Sequence, residues 1–222
     1  MTSEDNGLWL STWKNGQTDF HQVLVNQQLQ DYWHQLDIPP LGRVLVPLCG
    51  KSKDLIWLAA RGFHVIGIEL SSIAVKTFFE ENNLKPKKTR CGNFTVWRHG
   101  RIRIFCGDIF ILKNSDLGQI DAVYDRAALS ALPETIRKLY VSKLLSFMPL
   151  LKPMLLLTTE DADPLRTTDS QAVIDQEIFD LYSPHFAIKV RYGDSYQAYA
   201  VKETVNKVYQ MNMRVSDINK IT

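Results

Sequence analysis

Three short loops of the sequence combine side chains that could together bind a nucleoside. In the first, Leu48-Cys49-Gly50 follows an apolar run, and Gly50 would let the backbone approach a ligand closely. Glu69 follows at about the 20-residue spacing at which nucleoside-binding α/β folds place an acid for the ribose hydroxyls. The third loop holds Asp108, which could accept from an adenine amine, and Ile109, which could lie against the ring. The pattern predicts a nucleoside with free ribose hydroxyls, since a carboxylate would repel a 2′-phosphate.

A fourth loop carries the charged pair Asp125-Arg126. At this place in an α/β fold the pair would face the reactive end of the cofactor, or it would anchor the loop through a salt bridge. Each of the other loops also has a simpler structural explanation. Gly50 could form a plain strand-to-helix turn, Glu69 could be solvated, and Asp108 could cap the turn that follows it.

The loops need strands to position them, and short apolar runs alternate with helical patterns along the chain. Such alternation predicts right-handed βαβ crossovers and a mostly parallel sheet covered by helices on both faces. The predicted strands span 43–48, 63–69, 102–106, 122–124 and 154–158, with a hairpin formed by 187–192 and 206–213 at the end. Predicted helices cover about 52–62, 71–83, 133–147 and 171–183, and Ile73, Phe78 and Phe79 are expected to pack inward.

Residues 1–40 form a polar lead-in rich in tryptophan, followed by an amphipathic stretch. Asp19 is expected to cap a helix that runs through Val23, Leu29 and Trp33 until Pro39-Pro40 ends it.

Composition limits the classes of partner. The chain has 222 residues, 45% of them hydrophobic and 23% charged, which fits one globular domain over 1–222. A net charge of +2 without a concentrated basic face argues against nucleic acid or an acidic membrane as the main partner. Three cysteines without metal-type spacing, and no signal peptide, predict a cytoplasmic protein with reduced thiols and no metal.

Several motifs resemble one family. The Trp9…Trp13…Phe20-His21 start, Pro47-Leu48-Cys49-Gly50-Lys51-Ser52, Gly67-Ile68-Glu69-Leu70-Ser71 and Asp125-Arg126-Ala127-Ala128-Leu129 are similar to the thiopurine S-methyltransferases, especially their bacterial members. The resemblance covers about residues 9–160. It implies a three-layer αβα, Rossmann-like class I methyltransferase fold with a seven-stranded sheet, an antiparallel C-terminal strand and an N-terminal helical lid. It also implies S-adenosylmethionine as the methyl donor and S-adenosylhomocysteine as the product.

The resemblance assigns roles to individual residues. It places Phe20 against both substrate and cofactor, and Arg126 at the cofactor facing an anionic or thiolate substrate. Adenine would lie at Asp108 and Ile109, and the other expected cofactor residues are Trp13, Leu48, Gly50, Glu69 and Leu70. His21 is a candidate base acting through water, because an unperturbed histidine has a pKa near 6.5.

The segment after the fifth predicted strand departs from the family pattern. There the family usually has Gly-Pro-Pro-Phe, whereas this chain has an acidic stretch beginning at Glu160-Asp161. The difference leaves the cofactor residues untouched and puts the methyl acceptor in doubt.

The expected reaction is methyl transfer to a sulfur, selenium or tellurium nucleophile on a small molecule, performed by a monomer. Two alternatives remain open from the sequence. An NAD-dependent oxidoreductase would also use an acid at the position of Glu69 for the ribose hydroxyls, but it normally needs a glycine-rich turn. A cofactor-binding module without turnover would fit the altered 160–170 segment. The sequence does not distinguish a thiol from a halide or a metalloid as the methyl acceptor.

Overall fold

The computed structural model describes residues 3–161, 175–198 and 202–214, and the chain divides into two compact units. The first unit comprises residues 1–31 and 38–122, and the second comprises 32–37 and 123–222. In the described part of the chain, no helix has both the length and the apolar character that crossing a bilayer requires.

Five strands form the sheet of the first unit, in the order β3-β4-β5-β2-β1. β1, β2 and β5 are parallel, so their carboxyl ends lie at one edge, while β3 and β4 form an antiparallel hairpin beside β5. The elements are α1 (Ser3–Lys14), α2 (Gln27–Tyr32, whose last residue is assigned to the second unit), β1 (Arg43–Val46), α3 (Asp54–Ala60), β2 (His64–Glu69), α4 (Ser72–Glu81), β3 (Lys87–Cys91), β4 (Phe94–His99), β5 (Ile102–Cys106) and α5 (Asn114–Leu117).

The central strands form because their residues are apolar on both faces, as the sequence predicts. Only the first residue of β1 and of β2 escapes full burial. Ser71 caps α4 by accepting a hydrogen bond from the Ala74 N–H at 3.2 Å, and Phe78 and Phe79 are buried. The expectation for Ile73 was wrong, because its side chain is 44% exposed on the outer face of α4.

The β3–β4 hairpin was not predicted. All five residues of β3 are exposed, and the strand is rich in lysine and arginine, so it has none of the apolar alternation that marks a strand. Charged edge strands of this kind resist pairing with other chains. The hairpin adds two strands to the predicted seven, so the described residues contain nine strands while the fold class holds.

The N-terminal helices differ from the prediction. α1 occupies the segment expected to be a polar lead-in, and Asp19 lies outside any helix. Asn26 is the residue that caps α2, since its Oδ1 accepts a hydrogen bond from the Leu29 N–H at 3.1 Å. Val23, expected on the apolar side of that helix, is 68% exposed.

The second unit has four strands in the order β6-β7-β9-β8. β6 and β7 are parallel, β9 runs antiparallel to β7, and the predicted C-terminal hairpin pairs β8 with β9. Buried tyrosines and phenylalanines fill its interior. Its elements are β6 (Ala122–Arg126), α6 (Glu134–Ser146), β7 (Met154–Asp161), α7 (Asp175–Tyr182), β8 (Phe186–Ala198) and β9 (Lys202–Met213).

Candidate functional site

Glu69, the last residue of β2, is hydrogen-bonded to the loops on both sides of it. Its buried carboxylate accepts from the Gly50 N–H at 2.8 Å and from the Ser71 N–H at 2.7 Å. Its main-chain oxygen accepts from the Gly107 N–H at 2.8 Å. Burial raises the pKa of Glu69, and the N–H groups of Ser71, Gly50 and Leu70 lower it in part. Because a carboxylate oxygen can accept more than one hydrogen bond, both oxygens can still receive a hydroxyl donor.

The loop after β1 has left-handed backbone at two positions. Leu48 has a φ of 45° and Gly50 a φ of 53°. A Cβ built on Gly50 would lie 3.3 Å from Cζ2 of Trp13, whose ring is buried against the loop. The loop therefore presents bare backbone beneath the indole, as close approach of a ligand requires.

The loop after β5 holds Asp108 just before a single 3₁₀ turn, Ile109–Ile111. Its Oδ1 accepts from the Phe110 N–H at 2.9 Å, so one oxygen caps the turn. Its Oδ2 accepts from the side-chain amide of Asn6 at 3.1 Å. Ile109 is buried beside it, with 4% of its surface exposed.

Helix α1 covers two of these loops with one face. Asn6, Trp9 and Trp13 are spaced i, i+3 and i+7, which places them on the same side of a helix. Asn6 contacts Asp108 at one end, and Trp13 contacts Gly50 at the other. α1 thus occupies the position expected of the N-terminal lid.

Phe20 and His21 follow α1 in the same segment. The Phe20 ring packs edge-on against Trp9 at 5.8 Å and against Trp13 at 5.7 Å, with 52% of the residue exposed. His21 is half-buried, and its backbone N–H closes a turn on the Thr18 carbonyl at 2.8 Å.

Two cysteines lie near Glu69. Burial, reinforced by the charge of Glu69, raises the pKa of Cys49 well above its ordinary value, and the same causes raise that of Cys106 to about 11. Both therefore remain thiols at neutral pH. Cys49 acts as a packing residue, because its Sγ lies 2.7 Å from where a Cβ on Gly67 would stand.

In the second unit, Asp125 fixes the loop that carries Arg126. Asp125 is fully buried, accepts from the Ala128 N–H at 3.1 Å and from the Tyr140 hydroxyl at 2.7 Å, and does not reach the surface. Burial raises its pKa to about 6. Arg126 is partly exposed at the end of β6, and Ala127 after it has a φ of 62°. The sequence left two explanations for the charged pair, a role at the reactive end of the cofactor and a salt bridge that anchors the loop. Asp125 anchors the loop, but it does so through the Tyr140 hydroxyl and the Ala128 N–H.

Glu160 begins the segment where the family pattern is lost. It is buried near the carboxyl end of β7, where it accepts from the Tyr209 hydroxyl at 2.6 Å and forms an ion pair with Lys207 at 3.1 Å. The sequence did not indicate this network, because its members are separated by nearly fifty residues. The rest of the departing segment, 162–170, lies outside the described residues.

The first unit brings most of the predicted site residues to neighbouring loops at one edge of its sheet or to the segment over them: Trp13, Phe20, Leu48, Gly50, Glu69, Leu70, Asp108 and Ile109. An adenosine fits this set, since Glu69 offers acceptors for a diol and Asp108 an acceptor for an amine. Asn6 was missed, although its spacing from Trp9 and Trp13 was a usable signal. Its Oδ1 is buried without a hydrogen-bond partner among the described residues. In the same part of the chain, no cluster of three or more acidic, histidine or cysteine residues could hold a metal ion.

Comparison with solved structures supports the fold assignment. A methyltransferase dependent on S-adenosylmethionine from Anabaena variabilis superposes with a TM-score of 0.63 at 16% identity, covering 93% of this chain and 95% of that one. The 1,6-didemethyltoxoflavin-N1-methyltransferase of Burkholderia thailandensis, solved with bound 1,6-didemethyltoxoflavin and S-adenosylhomocysteine, gives a TM-score of 0.62 at 13% identity over 93% and 87% of the two chains. At these identities the likeness establishes a class I methyltransferase fold.

Comparison of sequences identifies the family. A thiopurine S-methyltransferase of Stutzerimonas stutzeri is 46% identical over 216 residues, which is 95% of this chain and 92% of that protein. One from Bordetella pertussis is 40% identical over 181 residues, covering 82% and 83% of the two chains. The profile of the thiopurine S-methyltransferase (TPMT) family matches residues 4–220, which includes every loop described above. The chain therefore belongs to the thiopurine S-methyltransferase family, whose members use S-adenosylmethionine as the methyl donor.

Proposed function

We propose that this chain transfers a methyl group from S-adenosylmethionine to the sulfur of a small thiol. The observation that carries the proposal is the bonding of Glu69, a buried residue whose carboxylate accepts from the loop after β1 and whose main-chain carbonyl accepts from the loop after β5. In the proposal, Glu69 receives the ribose hydroxyls, Asp108 and Ile109 hold the adenine, and Leu48, Gly50 and Leu70 line the nucleoside with backbone. Family membership supports the sulfur acceptor.

When bound, S-adenosylmethionine supplies an electrophilic methyl group on a positively charged sulfur. The residues of the chain then have to orient the reactants and exclude water, which can contribute on the order of 7–11 kcal/mol. Trp13 and Phe20, whose rings pack together, are proposed to lie over the sulfonium. Such a cation–π contact is worth roughly 0.5–2 kcal/mol.

Arg126 is proposed to favour the thiolate form of the acceptor. A nearby cation lowers the pKa of a thiol, and the thiolate is the reacting species. The bonding of Asp125 supports this role, because its side chain bonds to the Ala128 N–H and the Tyr140 hydroxyl and so fixes the turn that contains Arg126. His21 is proposed as a base that receives the thiol proton through water.

The test is a panel of aromatic and aliphatic thiols with labelled S-adenosylmethionine, extended to a selenol, tellurite and halide. Labelled thioether from at least one thiol is the expected product. Arg126→Gln should shift the pH–rate profile for a thiol to higher pH, whereas Arg126→Lys, which keeps the charge, should restore it. Binding of S-adenosylhomocysteine without transfer to any member of the panel would contradict turnover and favour a binding module.

The location and assembly state belong to the same proposal. We place the protein in the cytoplasm as a monomer with one methyltransferase domain over 1–222. The free thiols of its three cysteines support the location, and the span of the family match supports the single domain. Sedimentation at several protein concentrations tests the monomer, and a dimer would point to the exposed Leu8, Val23 and Leu24 near the N-terminus.

A further inference from the structure

The side-chain amide of Asn6 is held in one orientation at the loop after β5. Its Nδ2 donates to Oδ2 of Asp108 at 3.1 Å. The opposite orientation would bring the amide oxygen against a carboxylate oxygen, and two acceptors repel. The carboxylate of Asp108 cannot turn away easily, because its other oxygen accepts from the Phe110 N–H at 2.9 Å. Asp108 therefore fixes the orientation of the amide, with Nδ2 toward its carboxylate and Oδ1 facing away from it.

The end that faces away carries unused hydrogen-bonding capacity. Oδ1 of Asn6 is buried without a hydrogen-bond partner in the described part of the chain, and an amide nitrogen has a second hydrogen. A buried acceptor without a donor is unfavourable, so a ligand that brings a donor here gains affinity. The group that fits must present a donor next to an acceptor.

Adenine has this pair of groups. Its exocyclic amine is a donor, the adjacent ring nitrogen is an acceptor, and an asparagine amide can bond to both. We infer that Asn6 selects the adenine base of the cofactor, with the amine donating to Oδ1 and the ring nitrogen accepting from Nδ2. Asp108 then acts on the adenine through Asn6, as the positioning residue that holds the amide in this orientation, and the amine donates to Asn6 instead of to Asp108. The inference rests on the proposed function and adds the residue that decides which base is accepted.

The test compares two ligands by calorimetric titration of the full chain. One is S-adenosylhomocysteine, and the other is its hypoxanthine analogue, in which an oxo group replaces the amine. The oxo group would face Oδ1, acceptor against acceptor. The wild type should bind S-adenosylhomocysteine roughly 10-fold or more tightly than the hypoxanthine analogue, because the analogue loses one buried polar contact.

Asn6→Leu keeps the size of the side chain and removes its polar groups. It should weaken binding of S-adenosylhomocysteine by about 10-fold, change binding of the analogue much less, and so reduce the preference between them. Asn6→Ala, which retains helix propensity, serves as a second variant. The matched control is Asn15→Leu, which should leave both affinities unchanged because Asn15 is exposed just after α1.

Equal binding of S-adenosylhomocysteine by both Asn6 variants would overturn the inference, because the amide would then contribute nothing to affinity. Tighter binding would overturn it too, because the amide would then occupy the place of the adenine amine. An unchanged preference between the two ligands would overturn it as well. If the folded wild type bound neither ligand, the proposed function itself would fail.

Discussion

The glycine after Cys49 meets two requirements that most residues cannot meet together, a left-handed backbone and room for an aromatic ring. Gly50 has left-handed backbone, donates its N–H to Glu69, and leaves room for the ring of Trp13. A side chain there would be strained by roughly 1–2 kcal/mol whatever surrounds it. Only the contact with Trp13 is specific to the proposed cofactor site.

A matched pair of substitutions separates the two effects. Gly50→Ala and Gly92→Ala both place a side chain at a φ near 55°, but no atom lies within 4 Å of a Cβ on Gly92. We expect both to lower the free energy of unfolding by about 1–2 kcal/mol in a urea titration. Only Gly50→Ala should also weaken the binding of S-adenosylhomocysteine. Equal affinities for the two variants would show that the loop after β1 does not contact the cofactor.

The sequence could predict the position of residues that end or follow a strand, although their roles remain predictions. Glu69 and Asp108 were predicted as ligand-facing groups because parallel strands bring their carboxyl ends to one edge. Asn6 was not predicted as a site residue, because its place in the site depends on a contact with Asp108, which lies 102 positions later in the chain. Sequence periodicity describes the faces of an element but does not specify which distant loop a face will meet.

Among the elements, the start of α2 shows how a local signal can be misassigned. Asp19 and Asn26 are both residue types that cap helices, and the apolar pattern did not distinguish them. Asn26 is the cap because its backbone N–H is also fixed, by a 2.9 Å hydrogen bond that it donates to the carboxylate of Asp54, a residue 28 positions later in the chain.

The effect of this cap can be measured. Asn26→Ala should lower the free energy of unfolding by about 1 kcal/mol, the usual cost of losing a helix cap. Asp19→Ala should stay within about 0.5 kcal/mol of the wild type, because Asp19 is exposed and outside any helix. A larger loss for Asp19→Ala in denaturant titrations would restore the original assignment.

The end of β6 should make stability depend on pH. Burial raises the pKa of Asp125 from 3.8 to about 6, so the protonated form is favoured by folding. The stabilisation is fully present below about pH 4 and is lost as the pH rises through about 6. A shift of this size corresponds to about 3 kcal/mol.

The comparison with Asp125→Asn isolates this contribution. The difference in unfolding free energy, wild type minus variant, should fall by up to about 3 kcal/mol between pH 4 and pH 7, since other titrating groups cancel. Chemical denaturation across that range measures it. A difference that stays flat or rises with pH would mean that Asp125 is not held in an environment that favours its neutral form.

For the whole molecule, the sequence predicted the alternating architecture and the C-terminal hairpin but not all of the strands. The apolar strands were recognisable because burial on both faces leaves a continuous hydrophobic run. The β3–β4 hairpin was not recognisable, because its outer strand is exposed at every position and is stabilised by pairing with its neighbour. The residue pattern did not indicate helix α1 for a related reason, because the face that covers the loops consists of one asparagine and two tryptophans rather than a broad apolar stripe. Only the family resemblance implied a helical lid at the N-terminus.

Removing the lid separates the roles of the N-terminal segment. Deletion of residues 1–13 takes away Trp13, which covers Gly50, and Asn6, which contacts Asp108. Turnover should fall at least about 100-fold, because water exclusion and orientation account for much of the catalysis. The thermal unfolding midpoint should fall only slightly, because the deletion removes the lid and leaves the core of the fold intact. Turnover that survives this deletion would contradict the role of α1 as a lid.

The central claim is that the loops after β1, β2 and β5 form one site for the nucleoside of S-adenosylmethionine. Calorimetric titration of the full chain with S-adenosylhomocysteine and, separately, with NAD tests it most directly. We predict saturable binding of S-adenosylhomocysteine and binding of NAD at least about 100-fold weaker, because Leu48-Cys49-Gly50 lacks the glycines that a pyrophosphate needs. Tight binding of NAD together with no binding of S-adenosylhomocysteine would contradict the claim.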